Sequence, residues 1–368
     1  MSKSFDVCIR GDGVVGRTLA LLLAKERLKV ALVSQSKNSP PADIRAYALN
    51  SASKQLLESL RVWPDASFAT PVQQMRVWGD DGGAVDFTAR ASQQEALTWI
   101  VDVPQLESQL LQACNYQSLI ETVAVPVPSP LSIICEGQIS SSRSDLGAHW
   151  TRKPYKQKAI AARLESDSPH GGTARQWFAQ HGEVLALLPM GGSLGNSLAL
   201  VWSVSDERAA LLEHLPPEEF CTTLAAACQF SVGNIRLISQ RASWPLALGS
   251  ADRWVGPGWA LAGDAAHTVH PLAGQGLNLG LADAASLCQV LAGREYWRGL
   301  GDEKLLRRYE RSRKAEVAAV GAVTDSLQRL FAQTEPAWQS ARNWGMNGFA
   351  ASAPLKNWLT RRAAGSFF

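Results

Sequence analysis

The chain has 368 residues, 46% hydrophobic and 19% charged, with a formal net charge of +3. That length supports a substantial core and two domains, and the small charge, without basic runs interleaved with aromatics, argues against a nucleic-acid partner. Six scattered cysteines (Cys8, Cys114, Cys135, Cys221, Cys228, Cys288) make no Cys-x-x-Cys pair and have no histidine at zinc spacing, so they read as buried small residues in a reducing compartment, with no metal site.

Met1 to Ser4 runs into an apolar strand without a leader, and no apolar run nears the roughly twenty residues of a membrane span. The expectation is a cytoplasmic protein, with peripheral contact at the inner face of the membrane left open.

Phe5 to Arg10 reads as a strand, Gly11-Asp12-Gly13-Val14-Val15-Gly16 as a glycine turn, Arg17 to Leu28 as a helix and Lys29 to Val33 as a second strand. In a dinucleotide site the first glycine makes the tight turn, the second lets the backbone approach a pyrophosphate, and the third lets the helix pack on the strand. Gly11, Gly13, Val14, Val15 and Gly16 are therefore candidate cofactor contacts. Ser34 and Gln35 stand where such units usually carry an acid for the ribose hydroxyls. Asp12 puts a negative charge into the turn, and Arg10 is near enough in sequence to pair with it.

Arg45 precedes a helix expected over Ser51 to Leu60, with Ser51 or Ser53 as its cap. Its guanidinium suits a phosphate, or an ion pair with Asp43. Gln74 to Arg90 alternates around Gly79-Asp80-Asp81-Gly82-Gly83 as a hairpin, and Asp102 to Cys114 has the period of an amphipathic helix. Tyr116 to Pro130 reads as a loop or a short edge strand. Leu131 to Cys135 is a strand, followed by a turn from Glu136 to Arg143.

Ala159 to Glu165, Thr173 to Phe178, Glu183 to Pro189 and Ser197 to Ser203 read as an antiparallel sheet. A helix near Pro217 to Cys228 and a strand near Asn234 to Trp244 follow. Trp259 to Gly280 then combines an apolar strand, Gly263-Asp264 at its end, and a glycine-rich turn that opens a helix. Turn-making alone does not call for so many glycines. Gly263, Asp264, Pro271, Gly274, Gln275, Gly276, Leu277 and Asn278 are candidate cofactor contacts, since a carboxylate accepts from sugar hydroxyls and bare amides can approach a ring or an anion. His267 and His270 read as hydrogen-bonding this loop rather than as bases, and no catalytic base is named. Helices continue through Leu281 to Leu291 and Lys304 to Phe331. The tail, with Trp338, Trp344 and Trp358 beside Arg342, Arg361 and Arg362, reads as folding onto its own core.

Three motifs, Gly11-x-Gly13-x-x-Gly16, Glu136-Gly137-x-x-Ser140-x-x-Arg143 and Gly263-Asp264 with its glycine-rich continuation, resemble in order and spacing the FAD-dependent aromatic hydroxylases of the para-hydroxybenzoate hydroxylase type, the ubiquinone-biosynthesis hydroxylases above all. The resemblance implies an α/β fold: a Rossmann-like FAD-binding domain, with a parallel sheet and helices, interrupted by an antiparallel β-sheet substrate domain and followed by C-terminal helices. The divisions expected are 1–70, 97–145 and 245–300 for the first, 71–96 and 146–244 for the second, and 301–368 for the last.

It implies that Asp264 binds the ribityl hydroxyls, that Pro271 to Asn278 lies along the isoalloxazine, that Arg45 is near the FAD phosphates, and that the Glu136 turn lies between the flavin domain and the nicotinamide approach. It also implies a reaction: NAD(P)H, a transient co-substrate, reduces the flavin, O2 adds at C4a, and the hydroperoxide delivers OH to a lipophilic, polyprenylated phenol. A peripheral membrane or biosynthetic-complex association is left open. Three departures, Ser34 for an acid, Glu136 for an aspartate and a shortened stretch between Cys114 and Leu131, predict a weaker grip on the adenosine end. They motivate the alternative of a non-catalytic scaffold or lipid-binding accessory protein with weak or lost FAD binding. A flavoprotein acting on a lipid without O2 is the third reading.

Overall fold

The computed structural model describes residues 4–34, 44–79, 83–269 and 274–332. β1 (Val7–Arg10) and β2 (Val30–Val33) are short apolar runs, buried almost throughout, as strands between helix layers must be. They pair in parallel with Val7 opposite Val30, joined through α1 (Val14–Lys25). α1 starts at Val14 rather than Arg17, so the last glycine of the turn is already helical. It ends before Arg27, whose φ of 63° is left-handed.

β8 (Ile120–Val123) adds to β2, β9 (Leu131–Ile134) adds to the other side of β1, and β17 (Trp259–Leu261) follows β9, all in parallel. β16 (Val255–Gly256) closes that edge antiparallel to β17. Among the described residues the sheet order is β16-β17-β9-β1-β2-β8. The stretch expected to be a loop or edge strand thus supplies β8 at the sheet edge, and residues 124–130 then carry the chain to β9. α1, α3 (Val103–Tyr116), α7 (Gln275–Ala292) and α8 (Glu303–Ala332) accompany this sheet. Its core holds Leu19, Leu106, Leu281, Leu305 and the fully buried Trp254 and Tyr309.

A second sheet of nine strands is built on β10 (Trp150–Ser166). On one side of it lie β13 (Ser197–Ser205), β12 (Val184–Pro189), β11 (Thr173–Phe178), β5 (Gln74–Trp78) and β6 (Ala84–Thr88). On the other lie β15 (Ala242–Ala251) and then β18 (His267–Thr268). Its pairings are antiparallel except that β5 runs parallel to β11. Alternate residues Ile160, Leu164, Leu200 and Trp202 face Phe220 and Leu224, so one face is covered by α5 (Asp206–His214) and α6 (Pro217–Ala227).

β10 is much longer than the expected Ala159 to Glu165, because its polar first half pairs with β15. A register shift between Pro154 and Lys158 separates the halves. The strand expected over Asn234 to Trp244 is two strands. β14 (Ile235–Leu237) and β15 both pair with β10, and between them Ser239 Oγ, not backbone, accepts the Arg163 N–H at 2.8 Å. α5 escapes the sequence pattern although its Ser205 cap and acidic Asp206-Glu207 are a helix-start signal.

A small antiparallel sheet, β3 (Ala46–Leu49), β7 (Thr98–Asp102) and β4 (Ala69–Val72), in the order β3-β7-β4, packs its Ile100 and Val72 against Ala174, Met190 and Ala199 of the second sheet region. α2 (Ser51–Ser59) is capped by Asn50, not by a serine: Asn50 Oδ1 accepts the Ser53 N–H at 2.9 Å. α4 (Ser141–Asp145) is a single short helix that begins within the expected Glu136–Arg143 turn and runs past its end, capped by Ser140. The tail beyond 332, with its tryptophans, lies outside the described residues.

Candidate cofactor site

Three chain segments meet at the carboxyl ends of β1, β9 and β17. Gly11 has φ +107, which L side chains rarely adopt, and a methyl on it would lie 2.4 Å from Cys135 O. Gly16 touches Gly11 in the same way, its would-be Cβ 2.0 Å from Gly11 O. A methyl on Gly13, by contrast, meets nothing within 4 Å. Gly11 and Gly16 therefore serve packing, while Gly13 borders open space at the start of α1. That start has no side-chain cap and no acid in its first turn, so its N–H groups and the positive helix end face outward. Val14 is buried, and Val15 packs against Gly263 and Gly280.

Asp12 does not pair with Arg10. Its Oδ2 accepts from Ser34 Oγ at 2.6 Å and from Arg17 Nη2 at 3.2 Å. Arg10 instead reaches the middle motif and donates to Ser142 Oγ at 3.1 Å. Glu136 is held within its own turn, accepting from Ser140 Oγ at 2.7 Å and from Ser142 Oγ at 2.6 Å. The buried Arg143 ties this turn to the third motif: Nη1 donates to Ala265 O at 3.1 Å, Nη2 to Gln138 O at 3.1 Å, and its plane lies 4.0 Å from the Trp150 ring centroid. Desolvation at this position lowers the Arg143 pKa, partly opposed by Glu136.

Gly263 to Ala265 form a short helical turn after β17. Asp264 is exposed to solvent, with protein packed around it closely enough to desolvate its carboxylate in part. That crowding pushes its carboxyl above the ordinary range, with His267 and Arg45 opposing the shift and Asp283 adding to it. Among the described residues its side chain accepts no hydrogen bond. Arg45, exposed, donates to Tyr47 Oη at 3.4 Å. Asp43, its other expected partner, lies outside the described residues.

α7 begins after Gly274, whose left-handed φ of +61° turns the chain into the helix with no side-chain cap. A methyl on Gly276 would meet nothing within 4 Å. Gln275 is half-buried, and Leu277 packs on the core from the same first turn. Asn278 is a clamp: Oδ1 accepts from Asn50 N at 3.0 Å and Ser53 Oγ at 2.7 Å, while Nδ2 donates to Ala48 O at 2.8 Å and Gly274 O at 3.2 Å. It fixes β3 and α2 against the start of α7. Gln35, His270 and Pro271 lie outside the described residues.

Beneath the motif lies a cluster that the sequence pattern does not disclose. Asp283, fully buried on α7, accepts from Gly263 N at 2.9 Å and from Arg313 Nε of α8 at 2.7 Å, and pairs with His267 Nε2 at 2.7 Å. His267 stacks on Trp254, with ring centroids 4.9 Å apart. His267 is therefore a buried residue whose partner is Asp283 of α7. The available signal was a lone acid in the otherwise apolar run Leu279-Gly280-Leu281-Ala282-Asp283-Ala284. β18, which carries His267, pairs Thr268 with Gly249 of β15 and so links this motif to the second sheet.

Residues 125–324 match the family model described as "FAD binding domain". Among curated proteins the chain is 30% identical to a ubiquinone hydroxylase, UbiL, of Rhodospirillum rubrum, over 99% of this chain and 90% of that protein. It is 27% identical to the 3-demethoxyubiquinol 3-hydroxylase of Escherichia coli over 98% of each. Among solved structures, PqsL of Pseudomonas aeruginosa superposes with a TM-score of 0.78 at 21% identity, covering 94% of this chain and 100% of that one. A p-nitrophenol 4-monooxygenase of Pseudomonas putida superposes with a TM-score of 0.77 at 14% identity over 100% of both chains.

Proposed function

Because this chain belongs to the FAD-binding-domain family of aromatic monooxygenases that includes the ubiquinone hydroxylases, we propose that it hydroxylates the ring of a polyprenylated phenol in ubiquinone biosynthesis. FAD is its cofactor and NAD(P)H the electron donor of the family. The residues present fit FAD. Two helix starts without side-chain caps, at Gly13 and Gly274, offer N–H groups to phosphate and ring oxygens, and Gly13 and Gly276 border open space. The observation that carries the reading is Asp264, an exposed carboxylate just after β17 whose acceptor oxygens meet no protein donor among the described residues.

Bound and reduced, FAD supplies the electrons and the O2 activation that place a hydroxyl on an electron-rich ring. The chain's share is positioning. Asp264 would accept from the ribityl hydroxyls, Gly11 to Gly16 would lie along the pyrophosphate with Ser34 and Gln35 toward the ribose, and Arg45 would add positive charge. Pro271 to Asn278 would line the ring, and the Glu136 turn, with both carboxylate oxygens bonded, would brace the sheet side. The second sheet would roof the ring and exclude water.

The proposed division assigns 1–70, 97–145 and 245–300 to cofactor, 71–96 and 146–244 to substrate, and 301–368 to C-terminal helices. No helix among the described residues is long and apolar enough to cross a membrane. In this reading a lipid-tailed substrate is met at the membrane's inner face or within a biosynthetic complex. The test is a flavin spectrum of the purified protein with NADPH titrated with and without a prenylated phenol. Flavin reduction that accelerates with the phenol and yields hydroxylated product supports the reading. Absence of flavin after FAD addition overturns it.

A further inference from the structure

We propose that Asp12 supplies the carboxylate that holds the adenosine ribose of FAD, standing in for the acid that the end of β2 lacks. The inference rests on the FAD reading above. β2 ends at Val33 and is followed by Ser34, a weak acceptor where a ribose diol calls for a carboxylate. Asp12 belongs to the β1–α1 turn, but its side chain crosses to β2 and takes the Ser34 Oγ–H at 2.6 Å. A carboxylate therefore stands beside the end of β2, carried by the turn that follows β1.

Its anchoring accounts for a negative charge in a phosphate-facing turn. Arg17 Nη2 donates to the same Oδ2 at 3.2 Å, and Arg17 Nη1 is fixed on Glu107 O at 3.2 Å, so a held cation neutralises Asp12. Ser34 holds Oδ2 at the end of β2, while Arg17 of α1 neutralises the same oxygen, so the charge of Asp12 is matched beside the uncapped start of α1. Oδ1 accepts no hydrogen bond among the described residues, and the side chain is 33% exposed. One free acceptor beside a neutralised one suits a donor pair without charge, such as the vicinal hydroxyls of a nucleoside diphosphate. An Asp12 aimed at the pyrophosphate would instead repel it.

The two geometries predict opposite signs. Calorimetric titration of the flavin-free full chain with FAD, ADP and 2′,3′-dideoxy-ADP separates them. The proposal expects wild type to prefer ADP over the dideoxy analogue by about tenfold, the scale of a charge-assisted hydrogen bond. Asp12→Asn should weaken FAD and ADP by about tenfold and lose most of that preference, and adding Ser34→Glu to it should restore both. Asp12→Asn binding FAD as tightly as wild type, or more tightly, overturns the proposal while leaving the FAD reading intact. Wild type binding neither FAD nor ADP overturns both. Should Asp12→Asn fail to fold, equal binding of ADP and its dideoxy analogue by wild type overturns the proposal, and the tenfold preference supports it.

Discussion

Asp264 and Asp283 are carboxylates of one motif region with opposite electrostatic circumstances. Asp264 accepts no hydrogen bond among the described residues, and its raised pKa means that the folded protein binds more protons there than the unfolded chain. Its contribution to stability therefore falls as pH rises from the ordinary carboxylate range through the raised value. Asp264→Asn should thus unfold at a higher temperature than flavin-free wild type at neutral pH, while losing about 10- to 100-fold in FAD affinity by fluorescence titration. Burial alone would raise Asp283 too, but His267 and Arg313 outweigh it and hold the carboxyl below its usual range. The stability this gives is full above the ordinary range and lost as pH falls through the lowered value. Asp283→Asn should cost about 3–5 kcal/mol in denaturant unfolding at pH 7 and show a shallower acid loss below about pH 4. The exposed acid was legible in the sequence because, with Gly263, it follows an apolar strand and precedes a glycine-rich turn. The buried one was not, because its partners come from β18 and α8, and their meeting depends on how the helices pack.

At the scale of elements, glycines of one motif divide by what surrounds them. Gly13→Ala places a methyl in open space at an ordinary φ of −73°, so unfolding free energy should stay within about 0.5 kcal/mol of wild type while FAD binding weakens. Gly16→Ala drives a methyl into Gly11 O, with a would-be distance of 2.0 Å, and should destabilise by about 3 kcal/mol or more whether or not FAD is present. Equal effects of the two changes on stability would refute this separation. The strand–glycine–helix order, the helix over residues 103–116 and the four middle strands were readable because apolar periodicity is local. The start of α1, the Asn50 cap and the splitting of the strand near residue 240 were not. Each depends on a partner distant in sequence or on a competing cap, as with Ser53, whose hydroxyl goes to Asn278.

At the scale of the molecule, the site is closed by contacts between sheets. Arg163 of β10 donates to Asp102 Oδ2 at 3.0 Å and to Arg45 O at 2.8 Å, and β18 joins the glycine motif to β15. Binding FAD should therefore stabilise the whole chain. At one hundred times its Kd the gain is about 2.7 kcal/mol, read as a rise of several degrees in Tm. An unfolding transition that stays put with added FAD would contradict it.

The chain's own pattern was sufficient for the strand–glycine–helix start, the middle strands, the three motifs and the family they resemble, because strand alternation, glycine turns and strand-end acids are written in neighbouring residues. Packing alone decided that Asp12 turns to Ser34 rather than Arg10, that Asn278 clamps α2 and β3, and that Asp283 gathers Gly263, His267 and Arg313. A hydrogen bond between side chains far apart in sequence has no local period to betray it. Its partners are set only when sheets and helices close around a buried charge that must be matched.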